Sequence, residues 1–280
     1  MSASRHPEDP VPDHPRRTVA TALAALAAAL LAGCASGAST GQSSAGTSSG
    51  AGTSSGSGTS SAGTVTIFAA ASLKDAFTQI AKDHPETPVR FSFDGSNTLV
   101  DQLAGGARAD VFASADTKNM DSATAKGLID GTPQLFARNV LVLIVPKGNP
   151  AKITGLNDTL TGKKLVVCAA GVPCGNATKT LAQQLGVTLT PVSEETKVTD
   201  VRGKVESGEA DAGVVYATDA KASGAKVETV AVPGADKVVN DYPIALVEGA
   251  PNPAGARAFI DAVRSPGGTA VLTSYGFRAP

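Results

Sequence analysis

The chain has 280 residues with 24 basic and 25 acidic side chains, a net charge of −1, and no tryptophan. There is no basic stripe and no interleaving of aromatic with basic residues, which argues against a nucleic-acid partner. Histidines stand only at positions 6, 14 and 84 and cysteines only at 34, 168 and 174, which argues against a metal held directly by side chains.

The first element in chain order is a leader. Arg16-Arg17 precede an apolar run over residues 18–33, the pattern of a signal-peptide hydrophobic region with its positive flank. The run ends in Leu31-Ala32-Gly33-Cys34, which resembles a bacterial lipobox; this implies cleavage before Cys34 and lipid attached there. A plain N-terminal membrane helix is the alternative, and the small residues at 32 and 33 weigh against it. The twin arginines lack the rest of a twin-arginine signal, so ordinary secretion is expected. Residues 35–62 are almost only Gly, Ser, Thr and Ala. They cannot bury a core and are expected to form a disordered tether, spanning about 30 Å root-mean-square. Residues 1–33 therefore form a signal peptide and 34–62 a tether, and the folded part begins at residue 63.

From there strand and helix alternate. Strands are predicted at 64–69, 89–93, 111–113, 140–146, 164–168, 212–215, 227–231 and 243–248, and helices at 73–83, 97–104, 118–126, 177–185, 201–207, 253–264 and 267–274. The alternation predicts an α/β architecture with largely parallel sheets. Asn139–Val145 is the strongest apolar run, and it ends in the breaker cluster Pro146-Lys147-Gly148-Asn149-Pro150. A passage to a second lobe is expected there, with a return around Asn240–Pro243. The assignment is lobe 1 from 63–142 plus 240–280, and lobe 2 from 143–239. The charged pairs Glu194-Glu195 and Lys163-Lys164 read as solvated faces.

Four segments share one design, in which a strand or loop delivers small or polar residues to a helix start. Ser72, after the strand at 64–69, is placed to cap the helix whose apolar face is Leu73, Ala76, Phe77 and Ile80. Ser96 follows Asp94-Gly95 and is placed to cap a helix carrying Leu99, Val100 and Leu103. Gly171–Thr178 forms a turn into a third helix, and Asp200 or Thr199 is placed to cap a fourth. A fifth element, Gly213-Val214-Val215-Tyr216, ends a strand with a phenol. Helix starts and hydroxyls together make an anion site of N–H and O–H donors. Cys168 and Cys174 form either a disulfide or two free thiols; the oxidising compartment permits the first.

These segments, in order, resemble a known family. Phe68-Ala69-Ala70-Ala71-Ser72-Leu73, Gly95-Ser96-Asn97-Thr98-Leu99, Ala109–Asp116, Asp200-Val201-Arg202, Gly213–Tyr216 and Tyr275-Gly276-Phe277 resemble the molybdate-binding protein of ABC importers over essentially all of 64–280. The resemblance implies a two-lobed periplasmic-binding-protein fold of the second type, with a ligand cleft between the lobes, closing on one tetrahedral oxyanion. It implies that Ser72 and Ser96 bind the oxyanion through their hydroxyls, Cys174 and Val201 through backbone N–H groups, and Tyr216 through its phenol. Cys174 stands where the family has alanine, and Asn97 where it commonly has serine. The implied ligand is molybdate or tungstate, with no cofactor. The implied partners are a membrane permease and its ATPase, served by a lipid-anchored monomer on the extracytoplasmic face of the cell membrane.

The chemistry agrees with that expectation. A dianion can be held by helix starts and charge-assisted hydrogen bonds without Lys or Arg. A cavity sized for molybdate or tungstate should bind the smaller sulfate poorly. Two alternatives stand beside this one. One is the same fold specific for sulfate, phosphate or an organic anion; the other is a hydrolase with a Ser or Cys nucleophile. The second needs a base within reach, and His84, in Asp83-His84-Pro85, reads as an exposed helix end. Asp110 and Asp116 flank a short strand and are expected to support the fold.

Overall fold

The computed structural model of the protein describes residues 63–280; the expected leader, Cys34 and tether lie outside the described residues. The strands are β1 (Val65–Ala70), β2 (Val89–Asp94), β3 (Val111–Ala113), β4 (Ile129–Pro146), β5 (Leu165–Cys168), β6 (Ser193–Glu195), β7 (Ala212–Tyr216), β8 (Val227–Val230) and β9 (Val239–Val247). The helices are α1 (Lys74–Asp83), α2 (Ser96–Ala104), α3 (Thr117–Ala125), α4 (Pro173–Leu185), α5 (Val198–Glu206), α6 (Ala217–Ser223), α7 (Pro253–Arg264) and α8 (Pro266–Ser274). The α/β expectation holds.

The strand order is β2-β1-β3-β9-β4-β7-β5-β6, with β8 also paired to β4. β1 runs parallel to β2 and β3, and β5 runs parallel to β6 and β7. The pairings through β4 and β9 are antiparallel, so the sheet is mixed rather than largely parallel. β4 is the reason. Its first part pairs with β9, and Leu141–Ile144 pair with β7. One long strand thus serves two groups of strands.

Each group has its own core. Along β1, Val65, Ile67 and Ala69 join a cluster with Phe77, Tyr242 and Phe259, while Phe68 joins Leu99, Phe112 and Met120. Helices cover both faces, which is why β1 reads as an almost unbroken apolar run. The second group packs Leu143, Val145, Leu165, Val201, Val214 and Tyr216 into a separate cluster.

Helix ends follow local chemistry. Asp116 caps α3 by accepting from the Asn119 N–H at 2.9 Å. Asn252 and Ser265 cap α7 and α8, each with a proline at the first turn. α4 stops at Gly186, whose φ of 65° only glycine adopts readily. Asp110 accepts from the Thr66 N–H at 2.7 Å and the Asn252 N–H at 2.6 Å, tying β1 to the start of α7. Both aspartates support the fold, as expected.

Candidate functional site

In sheets with parallel strands, ligands collect where loops and helix starts gather beyond the strands' C-terminal ends. β1 ends at Ala70, β2 at Asp94, β5 at Cys168 and β7 at Tyr216. Residues at or just beyond these ends meet around one cavity, lined by Ala70, Ala71, Ser72, Asp94, Gly95, Ser96, Ala115, Val172, Pro173, Cys174, Val198 and Tyr216. Its volume is ≈ 10 Å³, about the room for one water-sized sphere. Four of the five expected contact residues are therefore brought together. The fifth, Val201, lies one turn further into α5. It is fully buried and packed against β7, where a Cβ on Gly213 would sit 2.9 Å from its Cγ1. Val198 takes the place at the cavity wall.

The helix caps differ from expectation. Ser72 sits inside a short 3-10 turn, Ala71–Leu73, and Leu73 precedes α1. Its hydroxyl is 3.0 Å from the Tyr242 Oη, either of which can donate, so it serves Tyr242 rather than a backbone N–H. The residue at the cap of α2 is Gly95, and Ser96 is the first helical residue. The fully buried Ser96 Oγ instead accepts from the Ala115 N–H at 3.0 Å. Lys197, not Asp200 or Thr199, precedes α5, and α4 starts at Pro173, four residues before the predicted start. For Ser72 and Ser96 a tertiary partner claims the side chain that local sequence offers to the helix end.

Tyr216 is 1% exposed, and its Oη accepts from Asn240 Nδ2 at 3.0 Å. The other recorded bond of that amide goes to the Ala115 carbonyl, at 2.9 Å. Asn139 donates to Thr218 Oγ1 at 2.9 Å and to Tyr242 Oη at 3.5 Å. The Tyr242 ring is wedged edge-on against Phe136, Tyr216 and Phe277. Burial pushes both phenols well above the usual tyrosine range, so both remain proton donors. Asn139, Asn240 and Tyr242 escaped the sequence reading. A signal was present: Asn139 is a polar residue at the head of the strongest apolar run, and the structure pairs it with Asn240 across β4 and β9.

None of the lining residues is Lys or Arg. One is acidic: Asp94, whose Oδ1 accepts from the Gly95 N–H at 2.8 Å, so the wall does not consist of donors alone. The two strand groups come close here. A Cβ on Gly95 would lie 2.3 Å from the Thr196 carbonyl oxygen. Asn119 Nδ2 donates to the Gly171 carbonyl and Asn176 Nδ2 to Asp116, both at 3.3 Å.

Behind Ser72 lies a second cavity lined by Asp75, Arg202, Asp219 and Tyr275 among others. Asp219 is buried, accepts from the Tyr216 N–H at 3.3 Å and lies 3.7 Å from Arg202. Burial raises its pKa to about 7 despite the opposing charge of Arg202. No nucleophile–base pair forms among the described residues at the first cavity. Cys168 and Cys174 are joined in a disulfide, which settles that open choice, and His84 bonds Glu86 at the end of α1. Among the described residues, no helix is long and apolar enough to cross a membrane.

Two groups of strands joined by β4 and β9, with donors gathered at the strand ends, define a solute-binding protein. The model of the bacterial extracellular solute-binding protein family matches residues 65–278, and the chain belongs to that family. Among its relatives is the molybdate-binding protein ModA of Mycobacterium tuberculosis (strain ATCC 25618 / H37Rv), 46% identical over 222 residues, which cover 78% of this chain and 85% of the relative. ModA of Escherichia coli (strain K12) is 39% identical over 230 residues, covering 77% and 89%. The Azotobacter vinelandii periplasmic molybdate-binding protein shares the fold with a TM-score of 0.69 at 20% identity, covering 77% of this chain and 99% of that one.

Proposed function

We propose that this chain binds molybdate, and tungstate with it, outside the cytoplasm and delivers it to an ABC-type importer made of a membrane permease and its ATPase. One observation carries the reading. The Ser96 and Tyr216 hydroxyls each accept a hydrogen bond from a fixed N–H, so each has its own proton left to give. Converging hydroxyl donors, three helix starts and no cation in the wall suit a dianion. The names of the relatives point to the same ligand.

In this reading Ser72, Ser96 and Tyr216 contact the oxyanion through hydroxyls. Cys174 and the first turn of α5, Val198 to Val201, contribute backbone N–H groups. Residues 63–142 with 240–280 form one lobe and 143–239 the other, linked by β4 and β9. The chain acts as a monomeric receptor rather than a catalyst and is held at the membrane by lipid on Cys34.

The test is calorimetric titration of the mature protein with molybdate, tungstate, sulfate and phosphate, alongside tyrosine emission. Two of the three tyrosines, 216 and 242, lie at the site, and tryptophan is absent. Saturable binding of molybdate and tungstate with little response to sulfate or phosphate is expected. At 100 times the dissociation constant, the bound ion should add about 2.7 kcal/mol of stability. Equal affinity for sulfate would keep the fold and refute the specificity.

A further inference from the structure

The turn that brings Cys174 to the cavity is closed by a covalent bond. Cys168 is the last residue of β5 and Cys174 the second residue of α4, with their Cα atoms 5.7 Å apart. Both are buried, at 3% and 2% exposure. Between them Gly171 holds a φ of 90°, a left-handed conformation, and Val172 and Pro173 join Cys174 in lining the cavity. The start of α4 lies hard against the end of β5. A Cβ on Gly175 would sit 2.0 Å from the Ala169 carbonyl oxygen and 2.6 Å from that of Cys168. The Gly171 carbonyl is held from outside the turn by Asn119, and from within α4 by Asn176.

This turn has little freedom, and what it offers an anion is backbone. A side-chain donor can adjust through its rotamers, but a backbone N–H is placed only as well as its segment. A bond from the strand end to the second helical residue fixes that segment directly.

We propose that the Cys168–Cys174 disulfide is a positioning element of the oxyanion site: the bonded form holds the first turn of α4 in register and binds the anion more tightly than the dithiol form. The proposal rests on the oxyanion-binding reading above. Linkage makes the effect reciprocal: the anion must protect the disulfide by the same factor by which the disulfide strengthens the anion. In the reduction the protein S–S bond breaks and two thiols form. The two electrons and two protons come from a reagent dithiol, which leaves as its cyclic disulfide. A coupling of about fivefold or more is expected.

The test uses the mature chain, with tungstate as the anion because it is the less readily reduced of the two. Tungstate affinity is measured for the oxidised protein and for the Cys168→Ser/Cys174→Ser variant, at a temperature where circular dichroism shows both folded. Separately, the oxidised protein is equilibrated in reduced and oxidised dithiothreitol mixtures with and without saturating tungstate, and its thiols are counted by alkylation and mass. The expected result is weaker binding by the variant and a matching shift of the half-reduction point toward more reducing mixtures. Unchanged affinity with only a lower melting temperature would overturn the proposal. Should the variant not fold, the reduction equilibrium decides alone, and a half-reduction point indifferent to tungstate overturns it. Failure of the oxidised wild type to bind any oxyanion would instead overturn the binding reading, and this proposal with it.

Discussion

Replacing Tyr216 with phenylalanine removes one oxygen and leaves the rest of the site in place. The ring packs at 6.0 Å from that of Tyr242 and is 1% exposed, so Phe keeps the same buried surface. Asn240 loses its bond to the phenol but keeps the one to the Ala115 carbonyl at 2.9 Å. The ligand-free protein therefore gives up one neutral hydrogen bond, about 1 kcal/mol. In a protein of this size the melting temperature should fall by about 2–4 °C. Anion binding should suffer more, because the lost donor serves a charge. That contribution is about 1.5–3 kcal/mol, a rise in Kd of roughly 10- to 150-fold. Calorimetric titration with molybdate near neutral pH, paired with melts of the ligand-free variant, separates the two effects. Burial holds the phenol protonated well beyond that pH, so ionisation does not confuse the comparison. A lower melting temperature with unchanged Kd would refute the reasoning and leave Tyr216 as a core residue that bonds Asn240.

Ser96→Ala should do both kinds of damage at once. The Ala115 N–H loses its acceptor in a fully buried place, at a cost of about 1–3 kcal/mol, and titration should show weaker molybdate binding. Gly95→Ala should act through a steric clash. Gly95 has φ −61° and ψ 140°, which alanine adopts freely, but its Cβ would lie 2.3 Å from the Thr196 carbonyl oxygen. Melts without ligand should fall, at an overpacking cost of about 1–3 kcal/mol, and titration should show weaker molybdate binding; a wild-type melting temperature in this variant would refute the close approach. Asp219 predicts a pH dependence. Its carboxyl has a pKa of about 7 when folded against an ordinary value of 3.8, so between those values the native state binds more protons than the unfolded one. Stability from this group is thus greatest at the acidic end and declines as pH rises from about 4 to 7. Melts of wild type minus Asp219→Asn should show that decline, and a flat difference would refute it.

Much of the scaffold can be read from residue patterns because it depends on local periodicity. α7 spans Pro253–Arg264 as predicted, since Ala256, Phe259, Ile260 and Val263 repeat at helical spacing behind an Asn-Pro start. β3 likewise occupies Val111–Ala113. The missed elements lack such a pattern. α6, Ala217–Ser223, is made of small and polar residues, and its only large apolar neighbours come from tertiary packing. β6 contains Glu194-Glu195, which reads as a solvated charged pair; it is an edge strand in which Glu195 pairs with Lys204. β4 begins at Ile129 rather than 140 because a register irregularity between Asp130 and Gln134 absorbs Gly131 and Pro133, residues that read as breakers. At the cavity, hydroxyls following strand ends were visible in the sequence. Their partners were not, because Asn139, Asn240 and Tyr242 come from distant strands that contribute no local motif.

Those partners also explain how the cavity can present protons to a ligand. One chain of hydrogen bonds runs from Ser72 through Tyr242 and Asn139 to Thr218. Another runs from Ser96 through the peptide of Ala115 and Asn240 to Tyr216. Each starts in the strand group of β1 to β3 and ends beside β7, and each passes through residues of β4 or β9. A hydroxyl has one proton and two lone pairs, and left alone it turns toward whichever partner is nearest. Here protein N–H groups occupy a lone pair on both Ser96 and Tyr216, which leaves each hydroxyl proton for another acceptor. An anion then meets groups already oriented, and the cost of orienting them is borne by folding. Because the chains cross between strand groups on β4 and β9, displacing one group relative to the other disturbs the hydroxyls on both sides. Donor orientation and the relative placement of the two groups are therefore one structural property, fixed by two asparagines and a tyrosine.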